Sequence, residues 1–200
     1  MRKVANYISM CDQSTKDHQK RVSILSMWIG KQMALPARQI RNIGIIGLIH
    51  DIGKIILPPE FLVKKDSLSA SELQLVRYHP QTGFDLLSDS ELPEVIKNSV
   101  LQHHERIDGS GYPQQLKGDQ ILLEAKVVAV ADVIDAMTCN RSYNPRLEID
   151  DALNEIIEKS GIRYDPDVVK ACLAVFSMAV WHQNVATAKI RFLSHQPMCC

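Results

Sequence analysis

Histidine and aspartate side chains recur along this chain in the types and order that a metal site needs. Neutral imidazole and carboxylate groups suit first-row transition metals such as iron, manganese and zinc. Two such ions held side by side are a common device for hydrolysing phosphate esters. The set predicts a metal site assembled along most of the chain, from five of the seven histidines and two aspartates: His18, His50, Asp51, His79, His103, His104 and Asp132.

Asp51 and Asp132 are ionisable residues set in strongly apolar segments. Asp132 follows the apolar run 127–131, and Asp51 ends a second apolar run with His50 beside it. A buried, unpaired carboxylate costs several kcal/mol, so each needs a cation nearby. Neighbouring residues on a helix diverge by about 100°, so His50 and Asp51 can serve one centre only between two ions or near a helix end. An aspartate can bridge two ions while the adjacent imidazole binds one of them.

Isolated histidines carry little weight by themselves. A lone histidine on an apolar face is more often a satisfied core residue than a ligand, and we assign no role to His182 and His195.

The string Gly-Ser-Gly-Tyr-Pro at residues 109–113 has two interpretations. Its glycines permit backbone conformations closed to other residues and its proline fixes the exit, so the loop either helps to organise the site or only turns the chain.

The elements that must position these residues are predicted to be helices throughout. Val22, Leu25, Ile29 and Met33 recur at helical spacing, and no alternation typical of a strand is present. Residues 69–72 form a capping box that opens a helix running past His79, with a kink or a restart at the following proline. The expected fold is an all-α, single-domain bundle of about seven helices, near residues 22–33, 40–49, 69–79 and beyond, 92–104, 121–137, 147–159 and 165–182.

Composition indicates one ordinary globular domain with balanced charge. The chain has 200 residues, 46% of them hydrophobic, with 23 basic and 23 acidic side chains. No global basic field steers it onto DNA or RNA polymers. Five cysteines without framework spacing favour a reduced compartment, and the sequence predicts no signal peptide and no membrane span. We expect a cytoplasmic protein, with residues 1–182 as the domain and 183–200 as a tail or a helix extension.

At these motifs the chain resembles the HD-GYP family, a branch of the HD superfamily of metal-dependent phosphohydrolases. The resemblance runs from about residue 15 to residue 176 and so covers nearly the whole chain. A His-Asp pair alone would indicate only the superfamily, whereas the long string at residues 103–113 is highly specific. The resemblance rests on residues 15–22, 50–55, 78–83, 103–113, 132–138 and 141–143.

The resemblance implies an all-helical phosphodiesterase that acts on cyclic dinucleotides, chiefly the bacterial second messenger cyclic di-GMP. By position, the seven residues set out above would be the metal ligands, with Asp51 bridging two divalent ions, iron or manganese. Lys54 would contact a substrate phosphate and help to hold the site, and Arg141 would make a further phosphate contact. Asp135 and Tyr112 are weaker candidates for substrate contact. The expected chemistry is in-line attack of an acidified water on a phosphodiester.

Two positions depart from the family pattern. Some members carry a glutamate four residues before the first ligand histidine and bind a third metal, whereas this chain has Ser14, so we expect two ions. After Arg141 the family usually has Pro-Tyr and then a basic residue, whereas this chain has Ser142, Tyr143 and Asn144. One positive phosphate contact is therefore missing, which bears on affinity or ligand preference.

Alternatives to a cyclic di-GMP phosphodiesterase remain open at this point. The domain could be a receptor or protein-interaction module with little turnover, although all seven ligand positions are filled. It could prefer a mixed cyclic GMP-AMP dinucleotide, or act on mononucleotides, which the Gly-Tyr-Pro string disfavours. Signalling protein partners and a homodimer are also open. The seventeen residues before His18 leave no room there for a fused sensor domain, and the chain is either stand-alone or cut from a larger regulator.

Overall fold

Helices follow one another along the chain, as the sequence predicts. The computed structural model describes residues 13–58, 69–139 and 148–177, with side chains from residue 15 on. Within these ranges β structure is limited to two isolated bridges, Asp108–Lys117 and Ser160–Tyr164. The all-α prediction is confirmed. The α-helices are α1 (Gln13–Gln32), α2 (Ala37–Ile49), α3 (Ala70–Arg77), α4 (His79–Leu87), α5 (Glu94–Gln102), α6 (Leu123–Thr138), α7 (Ile149–Glu158) and α8 (Pro166–Ser177), and Ile52–Ile56 and Gly118–Gln120 are 3₁₀-helices.

The core forms where the apolar faces of α1, α2 and α6 meet. The predicted face of α1 is confirmed, since Val22, Leu25 and Ile29 are 0–2% exposed. Burying one such side chain stabilises the fold by about 1.5–3 kcal/mol. Helix α2 adds three buried isoleucines and α6 a nearly continuous buried surface. The further core residues of α2 and α6 are Ile43, Ile46, Ile49, Val127, Val128, Val130, Ala131 and Ile134.

The boundary between α3 and α4 agrees with two local predictions. The capping box is present, because the amide of Glu72 donates to Ser69 Oγ at 3.3 Å and the Glu72 carboxylate accepts from the Ser69 amide at 2.7 Å. Helix α3 ends at Arg77 and α4 restarts at His79, with Pro80 in its first turn. A proline there gives up no helical hydrogen bond. The restart divides one predicted helix into two, so the described residues contain eight α-helices where the sequence predicted about seven.

Close packing of α1 against α2 and α6 brings distant parts of the sequence together. Ser23 Oγ on α1 donates a buried hydrogen bond of 2.7 Å to the carbonyl of Gly44 on α2. Helix α1 contacts both α2 and α6, and α5 packs on α2 and α6 from another side. The start of α1, the end of α2, the end of α5 and the middle of α6 therefore meet in one region.

The last predicted helix is confirmed as far as the described residues go. Asp165 Oδ1 accepts from the amides of Asp167 and Val168 and so caps α8, which is described to Ser177. Residues 178–200, with the predicted tail at 183–200, lie outside the described residues. None of the described helices combines the length and the apolar character that a membrane crossing requires.

Candidate metal centre

Asp51 lies where the chain leaves helix α2. The helix ends at Ile49, His50 is its C-cap, and Asp51 precedes the 3₁₀-helix Ile52–Ile56 with φ −93° and ψ 9°. Since the regular helix has ended, the two side chains need not diverge by about 100°, and His50 Nε2 lies 3.5 Å from Asp51 Oδ2. His50 and Asp51 therefore lie at a helix end, one of the two arrangements in which they could serve a single centre.

The two oxygens of Asp51 face two separate groups of histidines. Oδ1 lies 3.2 Å from His79 Nε2 and 3.9 Å from His103 Nε2. Oδ2 lies 3.5 Å from His50 Nε2 and 3.8 Å from His18 Nε2. Asp51 is thus the member shared by two potential metal-holding groups, one with His79, His103 and His104 and one with His18 and His50.

Asp132 joins the second of these groups from helix α6. Its Oδ1 lies 3.4 Å from His18 Nε2 and 3.8 Å from His50 Nε2. The side chain is 14% exposed, whereas that of Asp51 is 6% exposed. The structure therefore brings together all seven residues that the sequence predicts as ligands. We refer to His18, His50 and Asp132 as the first half-site and to His79, His103 and His104 as the second half-site.

Backbone carbonyls fix which ring nitrogen faces the site. Three of the histidines donate through Nδ1 to the carbonyl of the residue three positions earlier, at 2.7–2.9 Å. A donor at Nδ1 leaves a lone pair on Nε2, the form in which a neutral imidazole binds metal. The Nε2 atoms of all three point towards Asp51. The pairs are His50 with Gly47, His79 with Val76, and His103 with Val100.

Burial and local charge hold the groups in the protonation states that metal binding needs. Burial lowers the pKa of His50 and lowers the pKa of His103 and His104 well below its ordinary value. Burial acts to raise the pKa of Asp51, but the neighbouring Lys54 ammonium group outweighs it, and the pKa of Asp51 falls well below the usual range. Near neutral pH His50, His103 and His104 are therefore neutral, and the Asp51 carboxylate is anionic.

Opposed acceptors at the centre indicate that a cation fits there. His50 Nε2 and Asp51 Oδ1 are buried without a hydrogen-bond partner. His79 Nε2 and His103 Nε2 lie 3.2 Å apart, and because both rings donate through Nδ1, these two atoms carry lone pairs. Buried acceptors without donors are costly, and a shared cation would satisfy them. The nitrogen and oxygen donor set also suits iron or manganese.

Lys54 and Gly53 complete the segment that follows Asp51. Lys54 Nζ lies 2.7 Å from Asp51 Oδ2, and the Lys54 side chain is 27% exposed. A Cβ added at Gly53 would collide with the carbonyl oxygen of His79 and the amide nitrogen of Gly83. The missing side chain therefore lets the 3₁₀-helix pack directly on α4, which sets the distance between Asp51 and His79.

The Gly-Tyr-Pro loop packs against the second half-site. The Tyr112 ring stacks on the His104 ring, with centroids 4.8 Å apart and an interplanar angle of 27°. The Tyr112 amide donates to the His104 carbonyl at 3.2 Å. A Cβ at Gly111 would collide with the backbone of Glu105 and Arg106. Of the two interpretations left open by the sequence, these contacts favour a loop that helps to organise the site.

Glu105 holds this loop in place, a role that the sequence does not reveal. Its side chain is buried at 3% exposure. Its Oε1 accepts from the Gln114 amide at 2.6 Å and its Oε2 from the Leu116 amide at 3.0 Å. Only the return of the loop onto residue 105 gives this carboxylate its partners.

Burial, followed by the charges of Asp51 and Asp132, raises the pKa of Tyr112, which keeps its phenol protonated.

Asp135 lies behind His18 and faces away from open solvent. Its Oδ2 contacts His18 Nδ1 at 2.7 Å, and its two oxygens accept from Arg21 at 2.6 and 3.0 Å. The side chain is 1% exposed. This arrangement argues against the predicted substrate contact, because both oxygens are already engaged by protein groups. Arg21 contributes to the family resemblance but was not among the predicted site residues, although its position three residues after His18 places it on the same helix face.

Part of the predicted substrate-binding set cannot be placed. Arg141, the expected second phosphate contact, lies outside the described residues, as do Ser142, Tyr143 and Asn144. The side chain of Ser14, which stands where a third metal ligand would be, also lies outside them. These expectations stay predictions.

Comparison of the sequence with protein-family models agrees with the order of the motifs and the geometry of the centre. The family model described as HD domain matches residues 2–168. The chain belongs to the HD domain family. The Gly-Tyr-Pro string and the relatives of this HD domain place it in the HD-GYP branch, as the sequence predicted.

Two curated relatives and one solved structure show what this HD domain is similar to. It is 37% identical over 173 residues to "Cyclic di-GMP phosphodiesterase response regulator RpfG" of Xanthomonas campestris pv. campestris, covering 86% of this chain and 46% of that protein. It is 30% identical over 172 residues to "3'3'-cGAMP-specific phosphodiesterase 2" of Vibrio cholerae, covering 85% of this chain and 33% of that protein. The chain therefore spans less than half the length of these relatives. The fold resembles Bd1817, a HDGYP protein of Bdellovibrio bacteriovorus, with a TM-score of 0.69 at 18% identity over 88% of this chain and 57% of that one.

Proposed function

We propose that this HD domain hydrolyses cyclic di-GMP to the linear dinucleotide, and onward to GMP, with a centre of two divalent ions. The observation that carries the proposal is the arrangement of buried acceptors around Asp51, which a pair of cations would satisfy. A relative 37% identical over most of this chain is named a cyclic di-GMP phosphodiesterase. The ions would be iron or manganese, since imidazole and carboxylate ligands accept either.

The seven ligand residues divide the work between two ions. The first half-site would hold one ion and the second half-site the other, with Asp51 bridging through its two oxygens. Bound there, two cations would lower the pKa of a water molecule to roughly 7 and neutralise charge on the phosphoryl oxygens. Because burial keeps His50, His103 and His104 neutral near neutral pH, no proton has to leave these three before binding.

Lys54 would act on both the centre and the substrate. Its ammonium group lies 2.7 Å from Asp51 Oδ2, and its side chain remains 27% exposed, so a phosphate that approaches Asp51 also approaches this charge. An ammonium group is a compact point charge with three donors. It can therefore neutralise a nonbridging phosphate oxygen while it keeps Asp51 anionic.

Tyr112 is the remaining candidate for substrate contact among the described residues. Stacking on His104 fixes its ring, and the Arg77 guanidinium lies 5.5 Å from the ring centroid. With its pKa raised, the phenol is a donor, and it can give a hydrogen bond to a phosphate or to the departing oxygen. Arg141 would supply a second cation. Asp135 would act only through His18.

A mixed cyclic GMP-AMP dinucleotide is the second candidate substrate. The relative from Vibrio cholerae, 30% identical over 85% of this chain, is named for that specificity. The site residues described here contact phosphate and metal, and guanine differs from adenine only at its edge. Signalling partners, a homodimer and a cytoplasmic location remain predictions from the sequence.

Anaerobic hydrolysis tests the proposal directly. The metal-free protein would be reconstituted with ferrous iron or manganese and given cyclic di-GMP and cyclic GMP-AMP in parallel. Products would be separated by chromatography, and bound metal would be counted on the same sample. Linear dinucleotide or GMP from a protein with about two ions per chain is the expected result. A fully loaded protein that turns over neither dinucleotide would favour the receptor alternative and refute the proposed activity.

A further inference from the structure

We infer that Arg21 and Asp135 form a clamp that positions the His18 imidazole, and that this clamp sets metal affinity in the first half-site alone. The inference deepens the proposed function and rests on its two-ion centre. It assigns Arg21 and Asp135 as positioning residues that act through His18, in place of the substrate contact predicted for Asp135.

The clamp is built from three short polar contacts between α1 and α6. Arg21 Nε donates to Asp135 Oδ1 at 2.6 Å and Arg21 Nη2 donates to Asp135 Oδ2 at 3.0 Å, a two-pronged arrangement that fixes the plane of the carboxylate. The same Oδ2 lies 2.7 Å from His18 Nδ1. Asp135 is 1% exposed, His18 12% and Arg21 23%. A carboxylate held in this way fixes both the direction of the ring and the nitrogen that carries the proton.

His18 needs this support because it differs from the other ligand histidines. His50, His79 and His103 are oriented by a carbonyl three residues earlier in their own segments. The Nδ1 of His18 instead meets a side chain 117 residues away in the sequence. Its orientation therefore depends on how α1 packs on α6. With Nδ1 engaged by Asp135, Nε2 points between Asp132 at 3.4 Å and Asp51 at 3.8 Å.

The second half-site has independent support. Its three histidines are placed by α3, α4, the end of α5 and the Tyr112 ring, and within the described residues none of their hydrogen bonds or ring contacts involves Arg21 or Asp135. A change in the clamp should therefore weaken one ion and leave the other. A purely structural ion pair between α1 and α6 would instead lower stability without distinguishing the two half-sites.

Metal titration of the whole chain separates these possibilities. Metal-free wild-type and Asp135→Asn proteins would be titrated with manganese, and both the ions per chain and the two dissociation constants would be measured without substrate. Asn has nearly the shape of Asp but cannot accept from both Arg21 and His18 as the carboxylate does. We expect one ion to bind with unchanged affinity and the other to bind about 10–100-fold more weakly. Arg21→Lys, which keeps the charge but loses the fork, should give a smaller change in the same ion.

Lys126→Gln is the matched control. It removes another ion pair of α6, with Asp165 at 3.0 Å, and the Lys126 side chain is 10% exposed. In the part of the chain that the structure describes, its ion pairs reach Asp165 and Asp119 and no residue of the centre. It should lower the melting temperature and leave both metal affinities unchanged. Equal weakening of both ions in Asp135→Asn, or two unchanged affinities, would overturn the clamp. A wild-type protein that binds two ions but hydrolyses no cyclic dinucleotide would refute the proposed function alone, since the metal comparison uses no substrate.

Discussion

Replacing Asp51 by alanine should abolish most of the stabilisation that metal ions give to this protein. Asp51 is the residue common to both groups of potential ligands, and its two oxygens face them separately, with His79 Nε2 3.2 Å from Oδ1 and His50 Nε2 3.5 Å from Oδ2. In the proposed two-ion centre, removing the carboxylate would take one ligand from each ion. Loss of any other ligand would affect one half-site directly.

The size of the effect follows from mass action. An ion supplied at 100 times its dissociation constant stabilises the folded state by about 2.7 kcal/mol, so two ions contribute about 5 kcal/mol. For a chain of this length each kcal/mol moves the melting temperature by about 2–4 °C, which gives a shift of roughly 10–20 °C for the wild type. If Asp51→Ala weakens each ion about 100-fold, the same metal concentration leaves about 0.4 kcal/mol per ion. The shift should then fall to about 2–3 °C.

Differential scanning calorimetry of metal-free and manganese-loaded samples measures this difference, with bound metal counted on the same material. Asp119→Ala is the matched control, because it removes an exposed carboxylate that lies 3.8 Å from Lys126 and away from the centre. Its metal-induced shift should equal that of the wild type. If Asp51→Ala keeps two bound ions and the full shift, the carboxylate is not a shared ligand and our interpretation of the centre is wrong.

Three further predictions concern the surroundings of the centre. The Lys54→Ala protein should keep its bound metal and lose about 100-fold in kcat. Steady-state kinetics and a metal count on the same sample measure this, and a parallel loss of metal and turnover would refute the phosphate contact assigned to Lys54. Glu105→Ala should lower the free energy of unfolding in urea by at least about 1 kcal/mol, because two loop amides lose their acceptor. Glu105→Gln keeps one acceptor and should lower it by less. Equal losses in the two variants would contradict the role of Glu105 in holding the loop. In the metal-free protein the free energy of unfolding should rise with pH through 6.5, the ordinary histidine value, and pass through a maximum at a higher pH. Below that pH the unfolded chain takes up protons at His50, His103 and His104, which these residues do not bind in the folded state because their pKa is lowered. Above it His18 loses its proton and its stabilising charge; despite burial, its pKa is raised by the hydrogen bond to Asp135 and by the charges of Asp132 and Asp51. Unfolding free energies that do not change between pH 5 and 8 would contradict this.

The sequence predicted the helices well because their signals are local. Apolar spacing, a capping box and a proline in a first turn depend on residues within a few positions of each other, and each was found in the structure. The seven ligand candidates could also be chosen from the sequence, because their residue types and order are unusual in apolar segments. Their assignment as ligands remains a proposal that the geometry supports.

The supporting contacts could not be predicted, since they depend on chain segments that meet only after folding. The family resemblance suggested Asp135 as a substrate contact, and the packing of α1 on α6 instead places it against His18 and Arg21. Glu105 belongs to the motif at residues 103–113, but its role could not be predicted, because the return of the Gly-Tyr-Pro loop supplies its two donors. The sequence by itself therefore determined which residue types are available for a metal site and their order along the chain. Tertiary structure decided which nitrogen and which oxygen face the centre, because those directions are fixed by hydrogen bonds and packing between elements far apart in the chain.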